Sequence, residues 1–285
     1  MRSEVTVPAL LVARLVLLEA VRRRLAVAAA GLTLAGIALT AWGFVKLAAQ
    51  LGASSLQLAG AVSGIVIFMA FMFVTVLALA AALLGATALG TELENGTLLS
   101  ILPRPLRRVE LLAGKWLGAF AVVALYGGAA VALEAAVIKV TTGYSAPQPL
   151  LAMSFIFALV ALTVTCAMAL SVRIAPLTAA IVTIVFYGAA WIDGIAHLIA
   201  TGLGNAGVAR GTLLAGLLFP SDGLWRGVLY GLEPVAMRAA GLNGPGSAGP
   251  FAVLGPPTPA FLAWCALWIA AAACAGIAAF RTRDV

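Results

Sequence analysis

Charge is scarce in this sequence, and that scarcity decides the broad class of the protein. Only 9% of the residues are charged, whereas 64% are hydrophobic. Soluble globular domains carry about a quarter charged residues, because their surface must be solvated. A core built from 285 residues could not bury so much apolar surface. The composition therefore excludes an ordinary soluble domain and indicates a protein that crosses a membrane several times.

Residues that carry catalysis or bind metals are also few. The chain has a single histidine, His197, and its three cysteines lie in apolar runs, which indicates neither a disulfide framework nor a zinc site. A phosphate-binding G-x-x-x-x-G-K-[ST] motif is missing, because Gly114-Lys115 lacks the upstream glycine and is followed by Trp116. The motifs of zinc proteases and serine hydrolases are missing as well. We predict that the chain is not an enzyme by itself and binds no cofactor or metal.

What the sequence does contain is long apolar runs, which predict an all-α membrane protein. A membrane span needs about 20 mostly apolar residues to cross the hydrocarbon of a bilayer. On this basis residues 1–285 form a single transmembrane domain of six helices. The predicted spans are 25–46, 58–89, 111–138, 150–172, 177–193 and 260–280.

Two further segments are predicted to form helices at the membrane surface. Residues 3–24 mix leucine with charged residues and end in three arginines, a pattern typical of an interfacial amphipathic helix. A signal peptide is the alternative, but its charge would precede the apolar part. Residues 194–259 are rich in glycine and proline and have short apolar runs, which predicts re-entrant or interfacial helices outside the cytoplasm. Within them, Ser221 or Asp222 is expected to cap a helix.

The distribution of lysine and arginine predicts the orientation. Cytoplasmic loops carry an excess of these residues, and an even number of spans puts both termini on one side. Placing residues 91–110 in the cytoplasm leaves twelve of the 17 basic residues inside, namely Arg2, Arg14, Arg22, Arg23, Arg24, Arg104, Arg107, Arg108, Lys115, Arg173, Arg281 and Arg283. We expect a multi-pass protein of the plasma or inner membrane with cytoplasmic termini. The basic residues lie at span ends, so a nucleic-acid partner is not expected.

Residues 91–110 form a polar loop between the second and third spans. An Asn-Gly pair, which tolerates the left-handed turn that ends a helix, is followed by Thr97, which can cap a new one. Three leucines follow, and Pro103 cannot continue a helix. A helix of one or two turns is therefore predicted, although composition alone also fits an ordinary basic loop.

The order of residues across this loop resembles the signature of ABC type-2 permeases. The shared pattern is acid-x-acid-x-Gly-Thr-Leu, then proline, then basic residues, then Gly-Lys where the next span begins. Residues 280–284 are similar to the ending that follows the last span in that family. The resemblance covers the spans, the loop and the tail, and it implies a permease subunit without its own ATPase.

The resemblance also implies roles for the loop residues. In that family the loop is a coupling helix that docks on a separate ATP-binding subunit: two acids anchor its beginning, leucines fill a groove on the ATPase, and arginines border it. Residues 3–24 would be the elbow helix, and the turn 173–176 a second contact. Two ATPases would hold ATP and Mg²⁺, and a second permease chain, identical or related, would complete the pathway. The residues assigned to coupling are Glu92, Glu94, Gly96, Thr97, Leu98, Leu99, Leu102, Pro103, Arg107, Arg108 and Arg173.

Polar residues in or near the spans are candidates for the pathway or for contact with a protein outside the cytoplasm, because ionisable groups in a membrane are often functional. These candidates are Glu134, Asp193, His197, Asp222, Trp225 and Arg226. Structural roles are the alternative. Glu134 could pair with Lys139, Asp193 could pair with His197 or cap a helix, and Asp222 and Arg226 have the spacing of an ion pair on a helix surface. Trp225 is typical of the lipid headgroup level.

Taken together, these patterns predict the permease subunit of an ABC exporter that moves a hydrophobic or amphiphilic compound. One alternative is a permease fold that transmits force to an extracytoplasmic partner, since the P-S-D-x-x-W-R stretch is similar to permeases involved in multicopper-enzyme maturation. Another is an ion-coupled secondary transporter. That class would need paired ionisable groups near the middle of the membrane or inverted repeats, and the sequence contains neither.

Overall fold

A computed structural model describes residues 6–22, 24–51, 56–94, 108–234, 251 and 255–282. Within these ranges the secondary structure is helical and includes no strand. Six of the helices are long and apolar enough to cross a membrane, so the prediction of an all-α, six-span membrane protein is confirmed. The helices are α1 (Thr6–Arg22), α2 (Arg24–Leu51), α3 (Leu56–Glu94), α4 (Arg108–Thr142), α5 (Pro149–Ser171), α6 (Pro176–Gly202), α7 (Ala206–Gly216), α8 (Ser221–Leu232) and α9 (Pro259–Arg281).

The spanning helices α2 to α6 and α9 run alternately up and down, so the bundle has two ends. We call the end where α3 finishes and α4 begins the Arg108 side. The opposite end, where the loop 143–148 joins α4 to α5, is the Tyr144 side. The short helices α7 and α8 follow α6 and therefore lie on the Tyr144 side.

Helix α5 occupies the centre of the bundle. It is the most buried of the six spanning helices, and it packs against α3, α6, α8 and α9. Its buried residues are mostly apolar, which suits a helix surrounded by other helices. The core continues into α8, where Trp225 lies 5.5 Å from Phe71 of α3 between ring centroids.

Helix α1 lies along the first half of α4. Two glycines, Gly114 and Gly118, make this close packing possible: a side chain on Gly114 would meet Ala9 and Val12, and one on Gly118 would meet Val16. Small residues four apart are a common way to bring two helices together. The helix within the predicted range 3–24 is therefore present, while its position at a membrane surface stays a prediction.

Helix α6 is longer than the predicted span 177–193, because it continues past Asp193 to Gly202. Gly194, Leu198 and Ala200 remain buried in this extension, so packing compensates for the weaker apolar run. The helix ends in a hydrogen-bonded turn in which Gly204 has a φ of 70° and Asn205 N donates to the carbonyl of Ala200 at 2.8 Å. This left-handed ending favours glycine.

The structure corrects one prediction about α8. Pro220 stands at the N-cap position and no side chain caps the helix, so capping by Ser221 or Asp222 is wrong; the Ser221 side chain is instead buried. Trp225 is only 2% exposed, because α8 packs against α5. Its placement at the headgroup level stays a prediction, since burial among helices does not fix its depth in the membrane.

Candidate functional site

Four of the residues predicted to couple to an ATPase are described, and they lie on the Arg108 side. The structure describes Glu92, Glu94, Arg108 and Arg173. The remaining predicted residues lie outside the described ranges, and the coupling helix stays a prediction. These residues are Gly96, Thr97, Leu98, Leu99, Leu102, Pro103 and Arg107.

An ion pair joins the two helices that flank the segment 95–107. Lys115 of α4 donates to the carboxylate of Glu92 in the last turn of α3, and both side chains are mostly shielded, at 14% and 25% exposed. The two helices are thus connected directly at the point where the chain leaves one and enters the other. Sequence reasoning noted Lys115 only as part of a pattern and did not identify it as the partner of Glu92.

Arg108 and Arg173, the two predicted coupling arginines that the structure describes, contact the end of α9. Arg108 donates to the carbonyl of Phe280 at 3.2 Å, and its guanidinium lies 5.8 Å from the centroid of the Phe280 ring. Arg173, in the α5–α6 turn, donates to the hydroxyl of Thr282 at 2.7 Å. A helix carries partial negative charge at its carboxyl end, which attracts cations. The predicted coupling contacts therefore also hold the end of the last span, a role that no local sequence pattern indicates.

A cavity of about 430 Å³ opens on the Tyr144 side between α2, α3, α4 and α5. Its walls are mainly apolar. The polar residues among its lining are Thr33, Thr40, Glu134, Lys139, Tyr144 and Ser145.

Glu134 receives a hydrogen bond from a different helix. The hydroxyl of Thr40 in α2 donates to its carboxylate at 2.8 Å. The predicted partner, Lys139, is five residues away, which turns the two side chains about 140° apart around a helix. The structure thus gives Glu134 a partner that sequence reasoning missed, because a single threonine in a span carries no signal of its own.

The mouth of this cavity is bounded by α8. Tyr144 donates its phenolic hydrogen to the carbonyl of Leu232, and Gln148 N donates to the carbonyl of Gly231 at 3.0 Å. Burial, with a smaller contribution from the charge of Glu233, raises the pKa of Tyr144 to about 12. The phenol therefore stays protonated and able to donate at neutral pH.

The remaining candidate residues cluster where α6, α7 and α8 meet. Arg226 Nε donates to the carboxylate of Asp222 at 2.7 Å. The predicted pair is present, but both side chains are nearly buried, at 14% and 13% exposed, so its placement on a helix surface is wrong. His197 Nδ1 lies 3.0 Å from the hydroxyl of Thr212. Burial raises the pKa of Asp222, and the positive charge of Arg226 partly opposes that shift.

Further ionisable groups lie near the Asp222–Arg226 pair. Asp193 is close enough to His197 and Asp222 for their charges to interact. Within the described ranges, no group of three or more histidine, cysteine and acidic side chains could hold a metal ion. The cluster therefore joins α6 and α8 through groups whose charges interact, and it joins α6 to α7 through the contact of His197 with Thr212.

The sequence also matches a known protein family. A family model described as ABC-2 family transporter protein matches residues 10–285. A search of curated proteins gave no match. The family match extends over almost the whole chain, including all six spanning helices and the segment 95–107.

Proposed function

The chain belongs to the ABC-2 transporter family and is a multi-pass membrane permease, and from this we propose that it is an exporter driven by ATP hydrolysed on a separate subunit. The sequence has no phosphate-binding loop that could hold ATP. The family implies an ATP-binding partner. We propose two copies of that partner, each with its own ATP and Mg²⁺, and a plasma-membrane location with cytoplasmic termini.

The ion pair between Glu92 and Lys115 is the observation that best supports the coupling mechanism. Because it ties the end of α3 to the beginning of α4, a displacement of the segment 95–107 would move both helices together. In this proposal the leucines of that segment fill a groove on the ATPase, and the exposed Glu94 lies beside them. Arg108 and Arg173 would transmit the same displacement to the end of α9.

A second permease chain is expected to complete the pathway. Helix α6 exposes an apolar stripe with a spacing of four residues, at Leu177, Ile181 and Val185, which are 66%, 51% and 60% exposed. Residues four apart lie on one face of a helix. This stripe could pack against lipid or against another permease, and the family supports the second chain.

The alternative of force transmission to an extracytoplasmic partner has less support. Three of the residues that suggested it, Asp222, Trp225 and Arg226, pack within the bundle instead of forming a docking surface. A copper-handling role likewise lacks a cluster of metal ligands in the described part of the chain.

The docking proposal is tested with the substitution Leu99→Glu. If Leu99 fills an apolar groove, a buried unpaired charge should cost several kcal/mol of binding, about 3 or more. We expect the purified permease to lose at least about 90% of the ATPase that co-purifies with the wild-type protein, since each 1.4 kcal/mol is a tenfold change in affinity. Membrane insertion should be unchanged.

Ser100→Glu is the matched control. It adds the same charge to the same segment, but on a helix residue 100 projects about 150° away from the centre of the leucine face. Full retention of the ATPase by Leu99→Glu, or equal loss in both variants, contradicts the docking assignment.

A further inference from the structure

We propose that the cavity on the Tyr144 side binds a hydrophobic organic amine, with its ammonium group on the carboxylate of Glu134. The role of the amine rests on the proposed function, because hydrophobic amines would be the class of substrate that the exporter moves. The binding site itself is argued from the cavity, and it can be tested without ATP or the ATPase.

The cavity has the size and shape of a small-molecule site. Its volume of about 430 Å³ falls within the usual range for such pockets, about 300–1,000 Å³. Along α4 its lining extends from Ala130 to Lys139, which corresponds to about 13 Å at 1.5 Å per residue. The cavity is therefore elongated along the helix axes and suits a molecule with one polar end and an apolar body.

The walls supply the apolar contacts. Ile37, Phe73, Val131 and Ile156 line the cavity from four different helices. Contact on several sides removes most of the ligand surface from water, which favours binding in proportion to the apolar area removed. A ligand that is mostly hydrocarbon or aromatic is favoured here over a sugar or a nucleotide.

Glu134 decides the charge of the ligand. A carboxylate has room for about four hydrogen bonds, and Thr40 supplies one of them, to Oε1 at 2.8 Å. A carboxylate among apolar residues in a span is costly unless a cation or several donors compensate it. An ammonium group provides both the charge and up to three donors, whereas an anion would be repelled.

Lys139 does not cancel this preference. It follows Glu134 by five residues, so it lies about 7.5 Å nearer the Tyr144 side and projects in a different direction. Its side chain is exposed, and a lysine at a span end extends its ammonium toward water. The two residues place opposite charges at different depths of one cavity, which makes them matched variants for a test.

The first experiment compares two probes with the same apolar body and opposite charge, 4-phenylbutylamine and 5-phenylpentanoate. Binding to the purified full-length permease in nanodiscs is measured by calorimetry without nucleotide. We expect the amine to bind at least about tenfold more tightly, because its ammonium group can donate charge-assisted hydrogen bonds to Glu134 that the carboxylate probe cannot. Glu134→Gln should weaken amine binding by about tenfold, and Lys139→Gln should not weaken it.

The second experiment fills the cavity without changing its charge. Gly36 and Gly31 are both on α2 and both have open space where a side chain would begin, but only Gly36 lines the cavity. Gly36→Leu should reduce amine binding by about tenfold, and Gly31→Leu should leave it at the wild-type value.

Several outcomes would overturn the proposal: equal binding of the two probes, unchanged binding in Glu134→Gln, or carboxylate binding that depends on Lys139. Equal effects of the two leucine substitutions would also contradict it. Because these measurements need no ATPase, a failure here leaves the coupling proposal standing. Conversely, normal amine binding together with a failed Leu99→Glu test would contradict the coupling proposal alone.

Discussion

In a chain with so few charges, the nearly buried ion pairs fix positions within and between helices that apolar contacts alone would leave unspecified. Lys115 and Glu92 join α3 to α4, while Arg226 and Asp222 form a pair at the base of α8. The cost of taking such groups from water is met only when both partners are present. A single substitution that removes one partner therefore has a larger effect than the loss of one contact.

Arg226→Met is the residue-scale prediction. It leaves the Asp222 carboxylate nearly buried without its main compensating charge, and breaking a buried pair costs about 3–5 kcal/mol. We expect a clearly lower unfolding midpoint in detergent than that of the wild-type permease. The double substitution Asp222→Asn with Arg226→Met should recover part of the loss, because the unpaired Asp222 carboxylate is then removed as well.

Arg210→Met serves as the control for this prediction. Arg210 is exposed on α7, so its removal should change stability by no more than about 0.5 kcal/mol. If Arg226→Met behaves like Arg210→Met, the Asp222–Arg226 pair has no stabilising role.

At the scale of whole elements, α1 can lie close to α4 because α4 has glycines, which lack side chains, at the contact. Gly118 faces Val16 so closely that an added methyl group would overlap it. The helix also carries exposed leucines, including Leu10 and Leu15 at 60% and 66%, which suit contact with lipid. The geometry supports the proposed elbow helix, in which one face of α1 packs on α4 and another face meets the membrane.

Gly118→Val is the element-scale prediction. Overpacking a close helix contact costs about 1–3 kcal/mol, and we expect α1 to separate from α4. Cysteines introduced at Val12 and Leu111, which belong to one apolar cluster, would report this separation as a loss of cross-linking by a short bifunctional thiol reagent. Gly43→Val, on α2 where a side chain meets open space, is the control and should leave cross-linking intact. Equal cross-linking in both variants would show that the α1–α4 contact tolerates the added side chain.

At the scale of the whole molecule, the two ends of the bundle are proposed to have different partners. The Arg108 side holds the described coupling residues and the end of α9, and it would meet the ATPases. The Tyr144 side holds the cavity and the α6–α8 cluster. An exporter needs these ends on opposite faces of the membrane, since the ATPases bind on the cytoplasmic face and the substrate is released on the other.

The topology is predicted to place Ser100 in the cytoplasm and Ser145 outside. In a background with the native cysteines replaced by alanine, an impermeant maleimide applied to intact cells should label Ser145→Cys and not Ser100→Cys. Inverted vesicles should give the opposite pattern. Labelling of Ser100→Cys from outside would remove the loop from the reach of any cytoplasmic ATPase, and the proposed function would be wrong.

The sequence by itself determined the membrane class, the number of spanning helices and the family, because hydropathy and local residue order are properties of consecutive residues. Only the tertiary structure decided that Thr40 contacts Glu134, that Lys115 pairs with Glu92 and that Trp225 is buried. These contacts join distant helices, and helices such as α3 are apolar on every side, so no periodicity indicates which face meets a neighbour. The rotation and tilt of each helix in the packed bundle decide which face meets a neighbour, and they depend on the packing of all the helices together.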